Sequence, residues 1–234
     1  MAVTSTAYRV LYKKCMSVPH ATLIRVEPVN LGVTLRDIYT NLADLSWVNR
    51  LPNASSAIMA SFVARANNSL PKLHNALISG GSSSITKDAG QYVVSELARS
   101  SVVNEMDYLD IPLAELLRIQ KTGNPGFDFY SENKQEIVLF GEAKYVGKVN
   151  AYGKALTQID EFFNEGKDLL DIADLEKFCS ESSLINAANG EKGLIAAFSA
   201  TSIPNSDLVA NIENNAYFKK LLKYKEVICV AVNI

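Results

Sequence analysis

Apolar and polar positions in the second half of the chain predict a mixed sheet flanked by helices. Segments with helical spacing of apolar residues alternate there with short apolar runs that are typical of strands. The predicted elements are a helix at 88–101, an apolar stretch at 111–119, strands at 127–130 and 136–144, a helix at 152–164, a strand at 193–200, a helix at 206–224 and a strand at 227–232. Their order, αβββαβαβ with the apolar stretch taken as a strand, favours an α/β (α+β) fold with a mixed central sheet.

The N-terminal third has a different pattern. Residues 8–12 and 21–29 read as strands, and helices are expected from near Thr34, over 54–66 and again after Pro71. Thr34 and Asp37 resemble a capping pair at the first of these helices. The run SGGSSS at 79–84 breaks the pattern. We therefore predict an N-terminal strand and helix extension, 1–84, packed on a core formed by 85–234. Within this core, residues 169–189 show no clear period of apolar positions.

Composition limits the class of protein. The 234 residues are 48% hydrophobic and 21% charged, as in an ordinary globular chain with ample material for a core. No stretch approaches the roughly 20 apolar residues of a membrane span, and the first residues lack the apolar region of a secretion signal. A cytoplasmic location without membrane association is the expectation. The formal net charge of −2 does not indicate a nucleic-acid binder, although it leaves room for a local basic patch.

Cysteine and histidine are too few for several kinds of site. Cys15, Cys179 and Cys229 are widely spaced and form no CxxC pair, so neither a disulfide framework nor a zinc site is indicated. His20 and His74 are the only histidines. Serine–histidine catalysis and histidine-ligated transition metals are therefore disfavoured.

Candidate chemistry concentrates around the predicted strand at 136–144. Side chains alternate across a strand, so Glu142 and Lys144 share one face while Ala143 points to the other. Asp128 lies on the preceding predicted strand, and the short connection SENKQ would return the chain beside it as a hairpin. Two carboxylates and an ammonium group can then converge.

Such a group suits a hard divalent cation. Mg²⁺ takes oxygen ligands, typically one or two carboxylates together with water and substrate phosphate oxygens. A bound Mg²⁺ activates water and stabilises negative charge in the transition state, while Lys144 can orient or help to deprotonate the attacking water. The pattern therefore predicts phosphodiester hydrolysis. A surface ion pair between Glu142 and Lys144 is the simpler alternative, and it is disfavoured by the apolar run IVLF just before GEAK.

The two neighbouring helices add further candidates. Glu96 falls in the middle of the apolar face of the helix at 88–101, where a buried carboxylate needs a cation or hydrogen-bond donors. It is a candidate metal ligand, unless it extends to solvent. Lys154 and Gln158 stand four residues apart beside the apolar stripe of the helix at 152–164. They could contact phosphate or the attacking water, or form a solvated flank.

At these residues the sequence resembles the PD-(D/E)XK, or restriction-endonuclease-like, nucleases. GFDF is similar to the first half of the signature and FGEAK to the second, and QIDEF at 158–162 resembles a helix motif of several branches. The resemblance implies a core of αβββαβ order in which Asp128, Glu142 and the Ala143 carbonyl bind Mg²⁺, for which Mn²⁺ substitutes. Lys144 would be the catalytic lysine, with Gln158 as a further catalytic residue. The chain departs from the family where Phe127 replaces the proline and where Gln91, rather than an acid, follows Gly90.

The same resemblance implies a DNA endonuclease of restriction or anti-phage defence. Lys148 and Lys154 are the candidate contacts to nucleic acid near the site. DNA is the expected partner, with a helicase or another defence protein, or a second copy of the chain, as further candidates. An inactive nucleic-acid-binding or assembly subunit with the same fold is the alternative function.

Overall fold

A six-stranded mixed sheet forms the centre of the protein in the computed structural model, which describes residues 2–3, 7–78, 85–118, 126–147 and 149–234. The strands are β1 (Tyr8–Cys15), β2 (Ala21–Pro28), β3 (Phe129–Glu132), β4 (Val138–Lys144), β5 (Gly193–Ala200) and β6 (Glu226–Asn233). Their order across the sheet is β1-β2-β6-β5-β4-β3. The N-terminal strands therefore lie in the same sheet as the strands of the predicted core.

Helices surround the sheet. The α-helices among the described residues are α1 (Leu31–Ala43), α2 (Ser56–Leu77), α3 (Lys87–Met106), α4 (Ala114–Leu117), α5 (Tyr152–Asn164), α6 (Lys167–Leu175), α7 (Glu181–Ala188), α8 (Asn205–Glu213) and α9 (Ala216–Leu221), with a 3₁₀ helix at Leu45–Arg50. In that part of the chain, none of these helices combines the length and the apolar character that crossing a membrane requires.

Strand direction fixes where the candidate site lies. β2, β6, β5 and β4 run parallel, whereas β1 and β3 are antiparallel to their neighbours at the two edges. The carboxyl ends of the four parallel strands therefore meet at one edge of the sheet, where α/β proteins usually bind their ligands. Glu142 and Lys144 lie at this end of β4.

Two apolar layers cover the sheet. Leu139 and Ala143 of β4 face a layer that includes Val93 and Leu97 of α3. Phe140 of the same strand faces the opposite layer, which contains α5 residues such as Ile159. The period-2 alternation of β4 thus separates a side facing α3 from a side facing α5.

Several predicted elements are confirmed. The helix at 152–164 and the strand at 193–200 occur with the predicted bounds, and the last strand extends the prediction by one residue at each end. Two strands at the N-terminus are also present. The mixed sheet flanked by helices is therefore confirmed as the fold class.

The apolar stretch at 111–119 is the main correction. Within its described part, four residues form the short helix α4 and none forms a strand, so α3 and α5 enclose two described strands instead of three. The backbone N–H of Ala114 donates to the carbonyl of Asp128, which ties this segment across the end of β3. A short buried apolar run has no period that separates a strand from a packed loop or helix turn.

Helix ends were predicted less well. α1 begins at Leu31 with Asn30 as its N-cap, so the capping pair of Thr34 and Asp37 is wrong; the Thr34 hydroxyl instead donates to the carbonyl of Ala7. α2 runs without interruption through Pro71. The long helix at 206–224 is divided into α8 and α9, because the Asn215 side chain caps the second helix. The boundary proposed at 79–84 lies outside the described residues and stays a prediction.

Candidate active site at the carboxyl end of β4

The hairpin of β3 and β4 positions the candidate site. Phe129 pairs with Gly141, and the Asp128 N–H donates to the Gly141 carbonyl at 2.8 Å. The Phe129 ring lies over Gly141 so closely that an added Cβ would stand 2.5 Å from it. The glycine in FGEAK therefore allows the two strands to pack, and Asp128 enters the sheet just before β3 begins.

Glu142 and Lys144 form a close ion pair at the end of β4. Lys144 Nζ lies 2.6 Å from Glu142 Oε1, and both side chains are on the same face, as predicted. The Glu142 side chain is only 2% exposed, whereas that of Lys144 is 23% exposed. The second oxygen of Glu142, Oε2, is buried and has no hydrogen-bond partner among the described residues. A buried carboxylate oxygen without a donor is a position that a cation could satisfy.

The Asp128 carboxylate lies against the residue between these two. Its Oδ2 accepts the Ala143 N–H at 2.9 Å and the Gln91 side-chain amide at 3.1 Å. No described residue donates to Oδ1. The structure therefore brings Asp128 to the segment 142–144, as the hairpin predicted, and leaves one oxygen of this carboxylate available.

Burial dominates the electrostatics of both acids. Desolvation raises the pKa of Glu142 well above its usual value, and the negative charge of Asp128 raises it further, while Lys144 acts in the opposite direction. Desolvation also raises the pKa of Asp128, against the hydrogen bond from Ala143 and the charge of Lys144. Two neighbouring carboxylates with raised pKa values are stabilised in the ionised form by a bound cation.

The donor set fits Mg²⁺ better than a soft metal. Among the described residues, Glu142 Oε2 has no donor, and the hydrogen bonds to Asp128 reach Oδ2 rather than Oδ1. Mg²⁺ is commonly held by one or two carboxylates. Over the part of the chain that the structure describes, no group of three or more His, Cys, Asp or Glu side chains is arranged to hold a metal ion. A cation at β4 would thus complete its coordination with water, the Ala143 carbonyl or a substrate oxygen.

A groove runs from Lys144 along α5. It has a volume of about 320 Å³ and is lined by Lys144, Gly153, Lys154, Thr157, Gln158 and Glu161. The structure therefore places Lys154 and Gln158 beside Lys144, at the first two turns of α5. Lys148, the other predicted contact to nucleic acid, lies outside the described residues.

Glu96 is buried as its helical position predicted, but its partners are not those of a cation ligand. Arg99 Nε donates to Glu96 Oε2 at 2.9 Å, and Arg99 Nη2 lies 2.5 Å from Oε1. Ser100 also donates to Oε1. Both oxygens of Glu96 are occupied by protein donors, so this arrangement gives no support to the predicted role of Glu96 in metal binding.

Gln91 is the α3 residue that reaches the site. Its Nε2 donates to Asp128 Oδ2 and, at 2.5 Å, to the Ala143 carbonyl, while its Oε1 accepts the Tyr145 N–H. Gly90 lets α3 approach, because a Cβ there would collide with the Tyr145 ring. In the sequence, Gly90 and Gln91 are adjacent near the start of a predicted helix, and this is the signal for the contact. Gln91 is not predicted as a site residue, because a neutral amide does not indicate a cation ligand.

No protein-family model matches the chain, and no curated protein sequence matches it significantly. The geometry of residues 91, 128 and 142–144 therefore carries the functional argument.

Proposed function

We propose that the protein is a Mg²⁺-dependent nuclease that hydrolyses phosphodiester bonds of DNA, with Mn²⁺ as a substitute. The observation that carries the proposal is the contact of the Asp128 carboxylate with β4 at Ala143, between Glu142 and Lys144. Each acid there has one carboxylate oxygen to which no described residue donates. This combination of a buried acid, a half-buried acid and a partly exposed lysine suits cation-assisted attack by water.

Each residue of the group has a distinct task under this proposal. Asp128 and Glu142 would supply oxygens to the cation. The Ala143 N–H donates to Asp128 Oδ2, so the main chain of Ala143 lies beside the Asp128 carboxylate. When bound, the cation lowers the pKa of a water molecule and stabilises the negative charge that develops on the phosphate. Lys144 spans the boundary between the buried acid and the groove, so its ammonium group can orient that water or contact a phosphate oxygen.

The groove along α5 is the proposed path for the phosphodiester backbone. Lys154 is exposed and adds positive charge at the start of α5, where the helix dipole also favours an anion. Gln158 lies one turn further, within the same groove as Lys144. It can donate to a phosphate oxygen or hold the attacking water.

Cleavage assays with a matched control test the proposal. Plasmid, linear duplex and single-stranded DNA would be incubated with Mg²⁺ or Mn²⁺ and with wild type, Asp128→Asn, Glu142→Gln or Lys144→Met. The control is Glu176→Gln combined with Lys177→Met, because these residues form an exposed Glu–Lys pair with a distance of 2.9 Å outside the site. We expect metal-dependent cleavage that is lost in the three site variants and kept in the control.

The same assay decides between a nuclease and an inactive binding subunit. We place the activity in restriction or phage defence, where a helicase or another protein can be required for cleavage. The assay would therefore be repeated with lysate from phage-infected cells. Folded wild-type protein that binds DNA but shows no Glu142-dependent cleavage under either condition would contradict the nuclease and support the binding subunit.

A further inference from the structure

The edge of β4 continues beyond the end of its partner strand. Gly141, Ala143 and Tyr145 direct their N–H and C=O groups to the same side, because main-chain groups alternate along an extended segment as side chains do. β3 pairs with this edge as far as Gly141, and the Asp128 N–H adds one more bond to Gly141. Beyond that point, Ala143 and Tyr145 receive their partners from side chains.

One side-chain amide and one carboxylate complete this edge. Asp128 Oδ2 accepts the Ala143 N–H. The Gln91 side chain donates to the Ala143 carbonyl and accepts the Tyr145 N–H. The second hydrogen of the Gln91 amide goes to Asp128 Oδ2 at 3.1 Å. Gln91 thus uses its oxygen and its nitrogen at once, and it joins Asp128 to the main chain of β4.

We infer that Gln91 is a positioning residue for the proposed cation site, which it serves by fixing the Asp128 carboxylate and the Ala143 carbonyl. This inference rests on the proposed function. By donating to Oδ2, Gln91 leaves Oδ1 as the oxygen of Asp128 that a cation can take. Because the amide is neutral, it orients the Asp128 carboxylate without adding a third negative charge beside Asp128 and Glu142.

The position of Gln91 is itself fixed by packing. Gly90 lies against the Tyr145 ring, and the Thr86 side chain caps α3 by accepting the Ala89 N–H. The helix therefore approaches β4 at a defined distance whether or not residue 91 carries an amide. A methionine there would keep the length of the side chain and remove its hydrogen bonds.

Amide hydrogen exchange measured by NMR separates positioning from simple packing. The variants are Gln91→Met and, as a control on the same helix, Ser95→Ala, which removes only a hydroxyl bonded to the Gln91 main-chain carbonyl. The Ala143 N–H is bonded to Asp128 and not to Gln91. We expect its exchange to accelerate about tenfold in Gln91→Met, relative to amides of the β5–β6 ladder, as for the loss of one hydrogen bond. Unchanged protection of Ala143 would overturn the inference.

Binding of Mn²⁺, followed by its electron paramagnetic resonance signal, provides the second readout. Loss of a residue that orients a metal ligand typically weakens affinity by about tenfold or more, and we expect this in Gln91→Met but not in Ser95→Ala. Wild-type Mn²⁺ affinity in Gln91→Met would overturn the inference about Gln91 but not the proposed function. Wild-type protein that binds no Mn²⁺ would overturn both the proposed function and the inference.

Discussion

Glu142 shows at the residue scale how a buried acid opposes stability. Its side chain is nearly fully buried, one oxygen bonds Lys144, and the other has no donor among the described residues. Desolvation of a carboxylate costs free energy unless hydrogen bonds or opposite charge compensate for it. Lys144 compensates one oxygen of this carboxylate, whereas the other oxygen remains uncompensated within the described part of the chain.

Glu142→Gln is therefore expected to stabilise the metal-free protein. The neutral amide removes the desolvation cost and the repulsion from Asp128, which together outweigh the attraction to Lys144. Its oxygen can still accept a hydrogen bond from Lys144 Nζ. We expect an increase of about 1 kcal/mol, or roughly 2–4 °C in the melting temperature of a chain of this size. Thermal unfolding in a metal chelator measures this change. A lower melting temperature would show that the Glu142–Lys144 pair is mainly structural.

The surroundings of a side chain follow more directly from the sequence on a strand than on a helix. The parity of a strand placed Glu142 and Lys144 on one face, and the structure agrees. On α3, the apolar period predicted that Glu96 is buried, yet its partner is Arg99 and the contact to Asp128 comes from Gln91. The rotation of a helix against a sheet and the pairing of its buried charges depend on tertiary contacts that one segment does not encode.

At the element scale, α3 depends on a buried ionic group. Arg99 is 1% exposed and bonds Glu96 on its own helix, and it also bonds Asp110 and the carbonyl of Ile111 on the segment that follows. The guanidinium thus connects α3 to the segment that leads to α4. Breaking a buried ion pair by removing one partner is strongly destabilising.

Glu96→Gln distinguishes a structural acid from a cation ligand. We expect the free energy of unfolding to fall by about 3 kcal/mol, because the charge that compensates Arg99 is reduced. Mn²⁺ affinity should remain that of the wild type. Urea denaturation and metal titration of the same sample measure both quantities. Wild-type stability with weakened metal binding would restore Glu96 as a ligand.

Asp171 joins α6 to the start of the site hairpin. It bonds the Arg118 side chain, accepts the Phe127 N–H at 3.3 Å and accepts the Tyr130 hydroxyl at 2.9 Å. Burial raises the pKa of Asp171 to about 6, against the charge of Arg118. The carboxyl group therefore titrates in a range where an ordinary aspartate is already ionised.

The pH dependence of stability follows from this raised pKa. Folding favours the protonated form, so the contribution of Asp171 is fully present below its unfolded pKa of about 4 and is lost as the pH rises through about 6. Asp171→Asn has no such titration. We expect the stability of wild type relative to this variant to fall by ~2–3 kcal/mol between pH 4 and pH 7, as measured by urea unfolding. A difference that is constant with pH, or that grows, would contradict the assignment.

Element boundaries show where local signals were sufficient. α5 and β5 match the predicted bounds because apolar spacing in α5 and a continuous buried run in β5 are both strong signals. The segment at 111–119 is also apolar, but its described part forms α4 and loop because it packs across the end of β3. Residues 169–189 include most of α6 and all of α7, and each of these helices is too short for a clear apolar period.

At the scale of the whole molecule, the local distribution of charge matters more than the net charge. The net charge of −2 gives no overall attraction to DNA, but Lys144 and Lys154 line the groove along α5. A phosphate backbone in this groove would meet both lysines. Glu161 lines the same groove further along α5, where its negative charge opposes the binding of a phosphate backbone.

Lys154→Gln tests the path of DNA through this groove. Loss of one phosphate contact should weaken binding to all duplex sequences alike and reduce the slope of log affinity against log salt concentration by about 1. Lys134→Gln is the control, because Lys134 lies in the turn between β3 and β4, at the opposite end of the sheet, and pairs with Asp107. Fluorescence anisotropy over a range of salt concentrations measures both slopes. Equal slopes in the two variants would show that DNA does not run through this groove.

The strand order also determines when the sheet can be completed during synthesis. β1 and β2 leave the ribosome before the other described strands, but the second neighbour of β2 in the sheet is β6, with Ala21 opposite Val227. The N-terminal hairpin must therefore persist without its parallel partner until nearly all of the described chain has been translated. Contacts of such long sequence separation are slow to form. Nascent chains that stop before β6 should expose the unpaired edge of β2 to chaperones and proteases, whereas the β3–β4 hairpin that carries the acids can form within a few tens of residues.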